Sequence, residues 1–143
     1  MRTRVTRRTA PRRAAVAAEF AVLLPFLIFL FVAGVDFARV FYFSVILTNS
    51  ARNGAAYGSA GPTQAADTAG IQQAALADAT DISPAPTVTS TTGTDASSNQ
   101  YVKVTVQQPF KTVISFPGVP SAFNLTRVTQ MRVSPLTPKP GTF

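Results

Sequence analysis

The sequence predicts an α+β fold: one long N-terminal transmembrane helix, a second short helix, and a small three- to four-stranded antiparallel sheet. Three observations lead there. Residues Phe20 to Val35 run for 16 positions without a charge, a block of arginines precedes them, and the second half of the chain alternates apolar and polar residues with the period of a strand.

The arginines come first. Arg2, Arg4, Arg7, Arg8, Arg12 and Arg13 carry most of the net charge of +7, so the basic character is a tail and not a patch. Arginines directly ahead of an apolar segment hold an N-terminus on the cytoplasmic side. A nucleic-acid-binding arm is the competing reading, and it lacks the aromatic stacking platform or groove-entering motif that such an arm needs.

The uncharged run covers roughly 24 Å as a helix, short of the ~30 Å hydrocarbon core. Extending it back over Ala14 to Ala18 completes the span and takes Glu19 into the membrane, where a carboxylate costs at least ~2.5 kcal/mol. Pro25 cannot donate to the carbonyl of Ala21, which predicts a loosened turn or mild kink inside the span. After Asp36 the apolar character resumes, and Phe37, Phe41 and Tyr42 have the character of headgroup-level aromatics. Asp36 and Arg39, three apart, are spaced to pair on one helix face or to stand as two solvated interfacial charges. Ala51, Ala55 and Ala56 carry the helix to about Tyr57, where Gly58, Gly61 and Pro62 predict its end.

Pro62 suits the first turn of a second helix over TQAADTAGIQQAALADA, with Ile71 and Leu76 on a weak apolar stripe. The Ser-, Thr- and Pro-rich stretch from Ser83 to Gln100 predicts a strand fragment at Thr87 to Thr91 and then a loose loop. YVKVTVQQ from Tyr101 to Gln108 is the clearest strand, with Val102, Val104 and Val106 on the buried face. KTVISF, ending at Phe116, and LTRVTQMRV, from Leu125 to Val133, are two further strand candidates. A proline-rich tail, SPLTPKPGTF, closes the chain. The organisation expected is a basic cytoplasmic leader over 1–14, a transmembrane and emergent helix over 15–58, and an extracytoplasmic α+β domain over 59–143.

The residue inventory narrows the function classes. Cysteine and histidine are both absent, which removes disulfides, thiolate metal sites and imidazole acid–base chemistry together. The six acids are Glu19, Asp36, Asp67, Asp78, Asp81 and Asp95. The expectation is a protein that is not an enzyme, with no cofactor, metal, nucleic-acid partner or small-molecule substrate.

Taken together, RRAAVAAEFAVLLPFLIFLFVAGVDFARVFY and TNSARNGAAYGS resemble the N-terminal module of the TadE-like family of tight adherence (Tad) pilus proteins. The family pattern of basic leader, small-residue cleavage site, Glu-Phe, a proline six residues after the Glu, and an acidic-Phe-small-Arg element falls on Arg12-Arg13, Ala14-Ala15, Glu19-Phe20, Pro25 and Asp36-Phe37-Ala38-Arg39. Where the family usually has Gly before the cleaved bond, this chain has Ala14. The later VKVTVQQPFKTVISFPGVP and TRVTQMRV also resemble the family's C-terminal strands.

The resemblance implies a pilin-like (pseudopilin) subunit in the bacterial inner membrane, single-pass with its N-terminus cytoplasmic, cut by a prepilin peptidase between Ala14 and Ala15. Glu19 would then be the fifth residue and pair with the α-amino group of a neighbouring subunit, with Phe20 and Pro25 in the same assembly element. Implied partners are the Tad membrane platform, the Flp-type major pilin and a sister pseudopilin. Two alternatives stay open at the level of sequence. Glu19 can snorkel to cytoplasmic water without a partner. The apolar run can also serve as the core of a secretory signal cut after Val32-Ala33-Gly34, which would leave an extracytoplasmic binding module.

Overall fold

The structure is a computed structural model that describes residues 10–113 and 121–134, with side chains from Ala14 onward. The leader up to residue 9, the end of the KTVISF candidate and the tail from 135 lie outside the described residues. The chain divides into two units, Met1–Phe37 and Ala38–Phe143.

Helix α1, Ala10–Ser59, is unbroken and runs through Pro25. It is long because Ala, Leu, Phe and Val dominate; Pro11 falls in its first turn, where the missing N–H costs no intrahelical bond, and Pro25, in its interior, needs only a single forgone hydrogen bond. In the first unit, Val16, Phe20, Val22, Leu23, Phe26 and Phe31 are all exposed. An 18-residue window of the helix reaches a mean hydropathy of 2.5 with none of its side chains buried. Length and composition are compatible with a single-pass membrane anchor.

In the second unit, α1 is followed by α2, Pro62–Ala66, and α3, Thr68–Leu76. The one helix expected after Pro62 is therefore two. Asp67 breaks it, because its carboxylate accepts the Gly70 amide at 2.9 Å and caps the start of α3. Ile71 and Ala75 of α3 are fully buried.

Three strands form an antiparallel sheet in the order β1, β2, β3: Thr87–Thr94, Gln100–Lys111 and Ala122–Arg132. The β1–β2 register runs from Thr87 opposite Gln107 to Thr94 opposite Gln100, and the β2–β3 register from Tyr101 opposite Arg132 to Lys111 opposite Ala122. Two sequence expectations change here. β2 continues through Pro109, so Lys111 ends that strand and does not open a new one. The segment after β1 is not a loose loop but a hydrogen-bonded turn. Asp95 Oδ1 accepts the amides of Ser97 and Asn99, both at 2.9 Å, and Ser98 adopts a φ of 65°.

The core lies between the sheet and the later part of α1. Leu47, Ala51 and Ala55 of the helix are fully buried with Val102, Val104 and Val106 of β2, joined by Ile71, Ala75, Val88 and Phe110. Small helix residues allow the close approach. A Cβ built at Gly54 would stand 3.1 Å from Ala75 Cβ and 3.3 Å from Val104 Cγ1. Gly58, expected to help stop the helix, lies inside it and has the same packing role.

Candidate functional site

The predicted site residues lie along α1. Ala14 and Ala15 are exposed residues of the helix, as are Glu19, Phe20 and Pro25. At 100° per residue, Ala15, Leu23, Phe26 and Leu30 share the face of Glu19. The carboxylate therefore sits at the N-terminal end of an apolar stripe, with Arg12, seven residues earlier, at a helix position of the same face. Asp36 is the last residue but one of the first unit and Arg39 the second residue of the next.

Arg39 is held in place by what the sheet brings to it. Its Nη1 donates to the carbonyl oxygen of Lys111 at 3.3 Å, and its guanidinium carbon lies 4.9 Å from the centroid of the Phe110 ring, within cation–π range. Phe110 meets Phe43 of α1 edge to face at 5.9 Å and Phe123 of β3 at 5.2 Å. On the other side of the helix, Arg127 Nη2 donates to Ser44 Oγ at 2.9 Å. This end of the second unit thus combines Arg39, Lys111 and Arg127 with a cluster of aromatic rings.

The far end of the same unit is organised by carboxylates. Tyr57 donates its hydroxyl to Asp67 Oδ2 at 2.8 Å. The Gly70 amide and then that hydroxyl hold the Asp67 carboxyl below its ordinary pKa, and the same bond raises the pKa of Tyr57. Asp95 is also lowered, chiefly by the Asn99 amide, with the Ser97 amide and the Arg132 guanidinium, 2.8 Å away, adding to it. Asn53 donates to Asp78.

Two features escaped the sequence reading. Gln108 is 2% exposed and stands in the inward row of β2 with Val102, Val104, Val106 and Phe110. Among the described residues its Oε1 accepts no hydrogen bond, and its Nε2 reaches only the Pro109 carbonyl at 3.5 Å. The period-two count from Val102 carries through Gln108 to Phe110 and would have flagged both. The Arg39–Lys111 contact, 72 residues apart, left no local signal.

A family model described as TadE-like protein matches residues 14–56. Residues 14–56 are a TadE-like segment. The match lies wholly within α1 and takes in Ala14, Ala15, Glu19, Phe20, Pro25, Asp36 and Arg39. The likeness read in the strand segments falls outside the TadE-like match. Comparison with curated proteins and with solved structures gives no match.

Proposed function

We propose that this chain is a minor pilin-like (pseudopilin) subunit of a Tad-type pilus or secretion assembly, anchored in the bacterial inner membrane and acting by helix packing. The observation that carries the reading is Glu19. It is a carboxylate at the start of an apolar helix stripe, within the segment that the TadE-like model matches. A lone charge there is costly, and a paired one is tolerable because attraction in a low dielectric offsets part of the desolvation.

In this reading a prepilin peptidase cuts between Ala14 and Ala15 on the cytoplasmic side. The freed α-amino group of one subunit neutralises Glu19 of the next and sets their axial register. Phe20 and Pro25 pack in the same element, and Asp36 with Arg39 marks the extracytoplasmic membrane end. The partners are the prepilin peptidase, the Tad platform, the Flp-type major pilin and a sister pseudopilin. The continuity of α1 beyond Asp36 supports an anchor over a cleaved signal, since a signal core gives way to mature-domain sequence after its cut.

Intact-mass measurement of the membrane-extracted protein tests the processing step. A chain beginning at Ala15 supports the pseudopilin, and one beginning near Val35 overturns it in favour of a secreted module. Glu19→Ala is expected to abolish co-purification with the other pilin subunits while leaving the protein in the membrane fraction. Unchanged co-purification would remove the assembly role.

A further inference from the structure

Charge in the second unit is sorted by flank. At 100° per residue, Leu47, Ala51 and Gly54 of α1 meet the core within an arc of about 60°. Ser44, Thr48 and Arg52 turn off to one side of that arc, and Asn53 and Tyr57 to the other. On the first side stands β3, whose Arg127 donates to Ser44. On the second stand α3 and, bonded to it through Gln72 and the Val88 carbonyl at 3.3 Å, β1.

A groove of about 300 Å³ opens on the β3 side, lined by Ser44, Val45, Thr48, Asn49, Arg52 and Arg127. Two cations and no carboxylate line it. Arg127 is held by neutral acceptors, Ser44 Oγ at 2.9 Å and the Thr126 carbonyl at 3.0 Å. The acids of this unit lie elsewhere: Asp67 with Tyr57, Asp95 with Arg132, Asp78 with Asn53, and Asp81 exposed in the link from α3 to β1.

The two kinds of charge also share a level along the helix. Residues 78–84 follow α1 from Asn53, which donates to Asp78, to Phe43, which lines a cleft with Ser83 and Pro84. Asp81 therefore falls between the levels of Phe43 and Asn53, and the groove covers positions 44–52.

We propose that a second copy of this chain docks in the groove. Two copies side by side with parallel helices bring Asp78 and Asp81 of one against Arg52 and Arg127 of the other with no axial shift. Ser44, Thr48 and Asn49 supply further hydrogen-bonding groups along the groove. A second copy is favoured over a small anion because the complementary charge is on the chain itself, at the matching level. The contact is head to tail, so an end copy keeps a free acidic flank or a free groove and further copies add in a row. Exposed ion pairs bind weakly in free solution, whereas copies held in one membrane meet at high effective concentration. The inference thus rests on the membrane-anchored reading, to which it adds a contact made outside the bilayer.

The chain has no cysteine, so introduced thiols report the contact without background. Full-length chains carrying Asn49→Cys and chains carrying Thr80→Cys, both at exposed positions, are reconstituted together in phosphatidylcholine vesicles and oxidised to disulfides. The mixed dimer is expected to exceed either like dimer about tenfold, against about twofold by chance, and to fall to the chance ratio in 1 M salt, where the Debye length is about 3 Å. Arg52→Glu in the Asn49→Cys chain should lower the mixed dimer about fivefold, and Asp81→Lys in the Thr80→Cys chain should restore it. Both side chains are exposed, and restoration by the second reversal excludes a folding defect as the cause of the loss. A chance ratio, predominance of like dimers, or charge reversal without effect overturns the proposal. So does suppression of the mixed dimer by phosphatidylglycerol in the vesicles, which would assign the groove to lipid. A chain that does not float with the vesicles overturns the anchor and the contact together, whereas a floating chain with a chance ratio overturns the contact alone.

Discussion

Gly58 of α1 faces Val102 of β2 so closely that a Cβ built on the glycine would lie 3.1 Å from Val102 Cγ2 and equally close to Ile71 Cδ1. Val102 and Ile71 are both fully buried, so neither can move aside freely. Two effects therefore oppose one another in Gly58→Ala. Replacing a helical glycine gains about 0.5–1 kcal/mol of backbone entropy, and the added methyl loses a comparable amount in displaced neighbours. The expected result is a stability change within about 1 kcal/mol. Gly58→Leu has no such compensation and should destabilise by about 1–3 kcal/mol. Thermal unfolding of the full chain in detergent, followed by the β-sheet signal in circular dichroism, checks both.

Asp95 ties the β1–β2 turn to β3. It accepts two turn amides through one oxygen and pairs with Arg132 through the other. These partners stabilise the ionised form, so the folded pKa lies below the unfolded value of about 3.9. A depressed carboxylate contributes stability above the unfolded pKa and loses it as pH falls through the folded pKa. Asp95→Asn should thus lower the midpoint of unfolding at neutral pH, and the gap to wild type should narrow progressively below about pH 4. A gap that stays constant into acid would contradict this account.

The bond from Tyr57 to Asp67 is readable by titration. Tyr57 ionises above its ordinary range because losing its proton breaks a hydrogen bond to a carboxylate and sets two negative charges side by side. The chain has only three tyrosines, Tyr42, Tyr57 and Tyr101, so their phenolate absorbance is tractable. Tyr57→Phe should remove the most alkaline step. Asp67→Asn should shift that step to lower pH, and a profile unchanged by Asp67→Asn would place the delayed tyrosine elsewhere.

What the sequence made legible were the features that repeat. Sixteen uncharged residues can only be accommodated in a limited number of ways, and the Val102, Val104, Val106 alternation fixes both a strand and its inward face. Single-residue decisions were harder. Asp67 breaks a helical stretch because its side chain competes for a backbone amide, an effect that composition does not register. Asp95 orders a segment without large hydrophobes by hydrogen bonds alone. Pro109 sits inside β2 although proline cannot donate to the ladder; its neighbour Phe110 continues the inward row and is buried among rings from α1 and β3.

The site divides along the same line. Glu19 was visible because a carboxylate in an apolar run is conspicuous, and the family match covers it. The contact between Arg39 and Lys111 was invisible because the two are brought together only when β2 ends beside the aromatic stretch of α1. Gln108 falls within the predicted strand and on its inward register, but a carboxamide at that position does not by its residue type read as buried.

The composition of β1 has a consequence of its own. Six of its eight residues are threonine or serine, and Val88 is its one buried side chain. Among the described strands it pairs with β2 alone, while β2 is flanked on both sides, and a single side-chain bond from Gln72 of α3 reaches its Val88 carbonyl at 3.3 Å. A strand of this kind is held mainly by its ladder and detaches at a lower free energy than the centre of the sheet. Its hydroxyl-rich, β-branched outer surface nonetheless keeps the pleat extended without offering an apolar edge. With no lysine or proline in Thr87–Thr94, nothing in the side chains of β1 itself stops a further strand from pairing along it.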